Sequence, residues 1–278
     1  MRKLLFCLLM MASAVVNAQL TKYDVNNDLK VNSADIVEIY NYIINGGSED
    51  PDDGTYTVNG VSFNMIPIEG GTFQMGQSAD GNNVTPVHSV TLSSYSIGET
   101  EVTQALWKAV MGTNPSNHQG DNLPVEKVSW IDCQTFITKL NQLTGKTFRL
   151  PTEAEWEFAA KGGTKSKGYT YSGSNTIGDV AWYYENSGSE THAVATKQAN
   201  ELGIYDMSGN VLEWCQDCYG SYSDEAQTNP TGPSDGSFRV YRGGSWGSSA
   251  GGCRAANRDL YYPDYISDYI GFRLVLSE

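Results

Sequence analysis

The sequence predicts an α+β domain with much irregular structure, set behind a short N-terminal loop–helix segment. Two observations carry that reading. Helical and strand-like periodicities are intermixed without a βαβ rhythm, and no internal repeat or glycine-rich phosphate loop interrupts them. Residues 58–68 and 89–97 read as strands. Thr103 is placed to cap a helix running through Met111 and stopped by Gly112. Residues 129–143 form a second helix, with Cys133, Phe136, Ile137 and Leu140 on one face at helical spacing. Thr152-x-x-Glu155 is a capping box opening a third helix, closed by Gly162-Gly163. Turns, aromatics and short strands follow.

Residues 1–18 have the layout of an export leader. Arg2 and Lys3 precede an apolar run ending at Val16-Asn17-Ala18, so the chain is expected to be cleaved near Ala18 and exported to the periplasm, cell surface or exterior. No second segment is long and apolar enough to span a bilayer. The net charge of −14 argues against nucleic acid, whose binding rests on neutralising phosphates, and suits cations or neutral ligands. Behind the leader lie Cys133, Cys215, Cys218 and Cys253. Cys215-x-x-Cys218 has the spacing of a zinc or redox half-site but no second pair, so paired or packed cysteines are the preferred reading.

Within residues 19–47, Asp24, Asn26, Asp28, Asn32 and Asp35 offer side-chain oxygens at loop positions 1, 3, 5, 9 and 12. The Lys30 carbonyl falls at position 7. That alternation wraps a calcium ion in EF-hand fashion, and an apolar helix follows at once. Leu29 replaces the usual glycine at position 6, and Asp35 the usual glutamate at 12. The pattern resembles a single dockerin repeat, which implies a cohesin-like docking partner, although dockerins carry two repeats. Residues 48–56 read as a polar linker to a domain over 57–278.

Seven strings in that domain form an ordered set: FQMG (73–76), TEVTQ (100–104), PVEKVSW (124–130), RLPTEAEWEFAAKGG (149–163), LGIYDMSGNVLEW (202–214), RVYRGGSW (239–246) and GFRLV (271–275). Together they resemble the formylglycine-generating enzyme or sulfatase-modifying-factor family. The resemblance implies an irregular, C-type-lectin-like fold. It also implies an oxidase that converts a sulfatase cysteine to formylglycine with a copper-binding cysteine pair. Here Ser248 stands where the first cysteine is expected, and Cys253 aligns better with the segment after the second. A hydroxyl does not replace a thiolate at Cu(I), so copper is not expected. The family's structural calcium site would fall on Asp206, Gly209, Val211 and Glu213.

Residues 247–252 and 259–269 are built mainly of Gly, Ser, Tyr and Asp without core periodicity. Rigid amphipathic rings beside small polar residues are the composition of recognition loops. These stretches also resemble the variable region of diversity-generating-retroelement target proteins. Candidate contacts to a protein or glycan ligand are Trp246, Ser248, Ser249, Tyr261, Tyr262, Asp264, Tyr265, Asp268 and Tyr269. A Cys215–Cys253 disulfide would brace the base of this surface. The leading expectation is a calcium-stabilised binding protein. The alternative is an active formylglycine-generating oxidoreductase, which needs Cys253 and either Cys218 or Cys215 in one pocket.

Overall fold

The computed structural model describes residues 54–78 and 83–277. The leader, the 24–35 calcium loop with its helix, and linker residues 48–53 lie outside the described residues. Twelve short strands and four helices are described: β1 Thr55–Val58, β2 Val61–Ile68, β3 Gly71–Met75, β4 His88–Leu92, β5 Tyr95–Gly98, α1 Gln104–Met111, α2 Trp130–Thr144, β6 Phe148–Arg149, α3 Glu153–Ala160, α4 Ile177–Val180, β7 Leu212–Cys218, β8 Gln227–Thr228, β9 Arg239–Arg242, β10 Arg258–Tyr261, β11 Ile270–Gly271 and β12 Val275–Leu276.

They form a five-stranded sheet in the order β1-β2-β5-β12-β6, a four-stranded sheet β10-β9-β7-β11 and a three-stranded sheet β3-β4-β8. Of the strand expected over 58–68, residues 61–68 form β2, while Val58 ends β1; Asn59 and Gly60, both at positive φ, turn the hairpin between them. The expected strand over 89–97 divides into β4 and β5, which join different sheets. Thr55 and Tyr56, expected in the linker, already pair with Asn64 and Phe63.

The helix caps form as the sequence dictates. Thr103 Oγ1 accepts the Leu106 N–H, and Gly112 closes α1 at φ 79°. Ser129 and Asp132 exchange hydrogen bonds at the start of α2, whose Cys133, Phe136, Ile137 and Leu140 are all buried. Phe136 stacks on Trp107 of α1 with ring centroids 5.1 Å apart. Trp214 and Cys215, neighbours on β7, enter two different apolar cores, because successive strand residues point to opposite faces.

Helix α3 differs from the other three, because all eight of its residues are buried, three glutamates among them. Each glutamate meets at least one cation, and Arg242 lies against both Glu153 and Glu157. Arg149 grips Glu155 with two bonds of 2.6 and 2.7 Å, and Arg258 grips Glu153 likewise. Glu157 pairs with Lys161 and with Arg242. Burial opposes ionisation of Glu157, but Arg242 and Lys161 outweigh it and hold the carboxyl below its ordinary range. Such pairs add little net stability over an apolar core, yet losing one partner strands a buried charge. They fix where β9 and β10, which carry Arg242 and Arg258, sit against α3.

Candidate functional site

The C-terminal surface rises from β9. Gly243 and Gly244 turn the chain at φ 93° and 73°, and a Cβ on Gly244 would lie 2.7 Å from the Cys253 sulfur. Only glycine allows that approach. Trp246 is then buried, its indole N–H bonded to the Asp268 carbonyl at 2.9 Å. Its ring stacks on Tyr269 at 4.3 Å, and the Tyr269 ring closes over Gly247, where a Cβ would be 2.3 Å away. Across the surface Tyr261 and Tyr265 stack at 3.7 Å.

These rings enclose an open cavity of about 240 Å³ lined by Tyr241, Ser245, Gly247, Ser248, Tyr261, Tyr265, Ser267 and Tyr269, with Leu212 and Ile270. Of the expected ligand residues, Ser248, Tyr261, Tyr265 and Tyr269 meet there. Trp246 is the support beneath, not a wall. Ser249 and Asp264 are exposed but do not line the cavity. Tyr262 leans instead on Phe238 at 4.6 Å, and Asp268 accepts a 3.4 Å bond from Asn117. Sequence reasoning missed Tyr241. The signal was the alternation in β9, where Val240 and Arg242 are buried and Tyr241 takes the opposite face.

The thiols do not assemble. The expected Cys215–Cys253 disulfide is not formed, and Cys133, Cys215, Cys218 and Cys253 are all free and buried. Cys215 packs beside Trp156 and Val240, whereas Cys253 packs with Ala181 and Tyr183, so the two belong to separate clusters. Cys218 faces the Gly236 carbonyl at 3.9 Å. Ser248 Oγ and Cys253 do share one neighbour, the Ser245 N–H. Burial pushes the Cys253 thiol up to about 12, far from the thiolate that a nucleophile or a copper ligand needs. Among the described residues no second cysteine shares the cluster around Cys253.

Two of the four expected calcium ligands, the side chains of Glu213 and Asp206, already have partners in the protein. Both oxygens of the fully buried Glu213 carboxylate are held at 2.6 Å by Arg273, and one also accepts the Trp156 indole N–H at 2.6 Å. Asp206, at φ 59°, accepts the Ala195 N–H at 2.7 Å. A guanidinium already neutralises Glu213, and a dication there would have to displace it. The side chains as placed therefore do not fit the expected calcium cage.

Residues 57–278 match the family described as sulfatase-modifying factor enzyme 1-like domain. Chaperone protein LppX of Paenibacillus barcinonensis is 34% identical over 78% of this chain and 91% of its own. The formylglycine-generating enzyme of Streptomyces coelicolor is 30% identical over 75% of this chain and 88% of its own. The solved structure of Treponema denticola variable protein 1 superposes with a TM-score of 0.77 at 39% identity, covering 82% of this chain and all of that one. The curled sheets, the capped helices and the ordered motifs thus have one explanation: this chain belongs to the sulfatase-modifying factor enzyme 1-like, or formylglycine-generating-enzyme-like, family.

Proposed function

We propose that this chain is a non-catalytic binding member of its family, taking a protein or glycan ligand on the tyrosine-lined cavity. One observation carries the reading. Where the oxidase would need two thiolates, a serine stands beside a single buried thiol, and next to it Tyr261, Tyr265 and Tyr269 form a half-open aromatic wall. Tyr261 and Tyr269 are each 39% exposed, and Tyr262 and Ile266 extend the apolar surface beyond the cavity. Stacked rings present large area at low entropy cost, while their hydroxyls and the serines supply orientation. Relatives named as a chaperone and as a variable protein agree with recognition as the task, and the Streptomyces enzyme marks the alternative. In this reading the leader exports the domain, and the 24–35 loop takes calcium and orders the N-terminal segment for a cohesin-like partner.

The test has two arms. A glycan and protein array probed with the mature chain should return a ligand that Tyr265→Ala loses. A peptide carrying the Cys-x-Pro-x-Arg motif, incubated with the protein, copper and reductant, should gain no aldehyde by mass spectrometry. Turnover abolished by Cys253→Ser would replace the binding reading with the enzymatic one.

A further inference from the structure

A second cavity, of about 520 Å³, opens beside the start of α3 and under residues 220–233. It shares no lining residue with the tyrosine cavity. Glu153 and Arg258 line it, and they satisfy each other. Arg258 spends Nε and Nη2 on Glu153 and Nη1 on the carbonyls of Asn83 and Gly220. Its guanidinium lies 4.3 and 4.2 Å from the ring centres of Tyr219 and Tyr222, and the Tyr222 hydroxyl donates to Glu153. Every nitrogen of that guanidinium and both oxygens of that carboxylate are thus already hydrogen-bonded.

Asp217 is placed differently. It is only 5% exposed, and Oδ2 accepts the Glu153 N–H at 2.9 Å. No cation pairs with it among the described residues, and Oδ1 has no hydrogen-bond partner there. Oδ1 lies toward Gly232, whose Cβ position would be 3.1 Å from it and which lines the same cavity. His88, 3% exposed, also lines the cavity. Its Nδ1 lies 3.1 Å from the Pro86 carbonyl, which assigns the neutral ring's proton to that nitrogen. Nε2 is then an acceptor without a hydrogen-bond partner among the described residues. The rest of the wall is uncharged, with Thr228 and Pro233 typical of it.

We infer that this cavity is a second ligand site, built for a primary ammonium group, with Asp217 as counter-ion and His88 Nε2 as a further acceptor. A buried carboxylate with an unused oxygen gains more from a charge-assisted N–H donor than from a hydroxyl. Burial first, and then the Glu153 charge, push the Asp217 carboxyl up to about 8, so an incoming cation would ionise it. The groups around it are Glu153 and Glu155 on α3, Arg258 on β10, His88 on β4, Tyr222 in the covering loop and Cys218 on its own strand.

Calorimetric titration of the mature chain tests the site with three probes: 1-aminopentane, Nα-acetyl-lysine methylamide and, as a neutral control, 1-pentanol. At least one amine should bind saturably, and 1-pentanol at least about tenfold more weakly, as expected when charge assistance is lost. A response to 1-aminopentane alone assigns a small free amine, and a response to the lysine derivative a peptide side chain. Because binding releases the Asp217 proton, affinity should rise up to about tenfold per pH unit from pH 6 toward 8 and level off above. Asp217→Asn should weaken the amine at least about tenfold and remove that pH slope. Should that variant not fold, Thr231→Lys puts an ammonium of the chain's own into the cavity and should abolish probe binding. No saturable amine binding, equal affinity for 1-pentanol, a flat pH profile, or unchanged binding in the variants would each overturn the inference. None of these outcomes depends on the tyrosine cavity.

Discussion

The two cavities of this domain are walled by opposite chemistry. Around Ser248 the wall is aromatic and uncharged, and its rings rest on one another and on Gly247. Around Asp217 the wall is polar and tied to the buried ion pairs of α3. The first can change its contacts while the core stays as it is, since Tyr261 and Tyr269 are exposed, and Tyr265 and Tyr269 lie on the loop between β10 and β11. The second cannot, because Glu153 and Arg258 belong both to the cavity and to the framework. Tolerance to substitution should therefore separate the two regions.

The largest expected effect lies in the framework. Arg273→Met leaves the Glu213 carboxylate buried without its cation and should cost about 3–5 kcal/mol in denaturant unfolding. A loss below about 1 kcal/mol would show that Glu213 has another counter-ion, and calcium would return as the first candidate. Next comes Gly247→Ala, whose Cβ must push the Tyr269 ring off Trp246. It should change tryptophan fluorescence and weaken ligand capture while costing about 1 kcal/mol or less, since the ring is free to move outward. Tyr265→Ala should leave stability within about 1 kcal/mol and still lose the ligand, so a large loss of stability would make the tyrosine wall structural. Two smaller effects complete the comparison. Chelator should leave the melting of the 54–277 domain unchanged, and a fall reversed by calcium would restore Asp206–Glu213 as a cation site. Thiol titration of the unreduced mature chain should count none of Cys133, Cys215, Cys218 and Cys253 when native and all four when unfolded. A count of two after unfolding would revive a disulfide.

Local signals were legible wherever one segment contains its own instructions. The caps at Thr103, Ser129 and Thr152 and the stop at Gly112 needed no tertiary information. The aperiodic Tyr/Ser/Gly stretches pointed to Ser248, Tyr261, Tyr265 and Tyr269. Signals that depend on distant partners were not legible. The cleft between β4 and β5 in the 89–97 segment is a sheet exchange fixed by β3, β2 and β12, not by local composition. The wholly buried α3 looked like an ordinary capped helix because its matching cations, Arg242 and Arg258, come some 85 and 105 positions later. The Asp217 cavity joins residues from 75 to 258 and has no contiguous motif at all. The Cys215–Cys253 pairing failed for a related reason: both lie near the surface's base in sequence terms, yet β7 turns Cys215 into the other core.

Strand β12 lies inside the five-stranded sheet, between β5 and β6, and its Val275 and the preceding Leu274 enter the two large cores. Val275 pairs with Ile97 and Arg149, residues made long before it. A growing chain therefore holds β5 and β6 without their shared partner until almost the whole domain has been synthesised. Contacts of such sequence separation slow folding, because the closing loop's entropy must be overcome before they form. Up to that moment the sheet has an open slot with two unpaired edges. A chain in that condition is the form most exposed to aggregation and to chaperone capture.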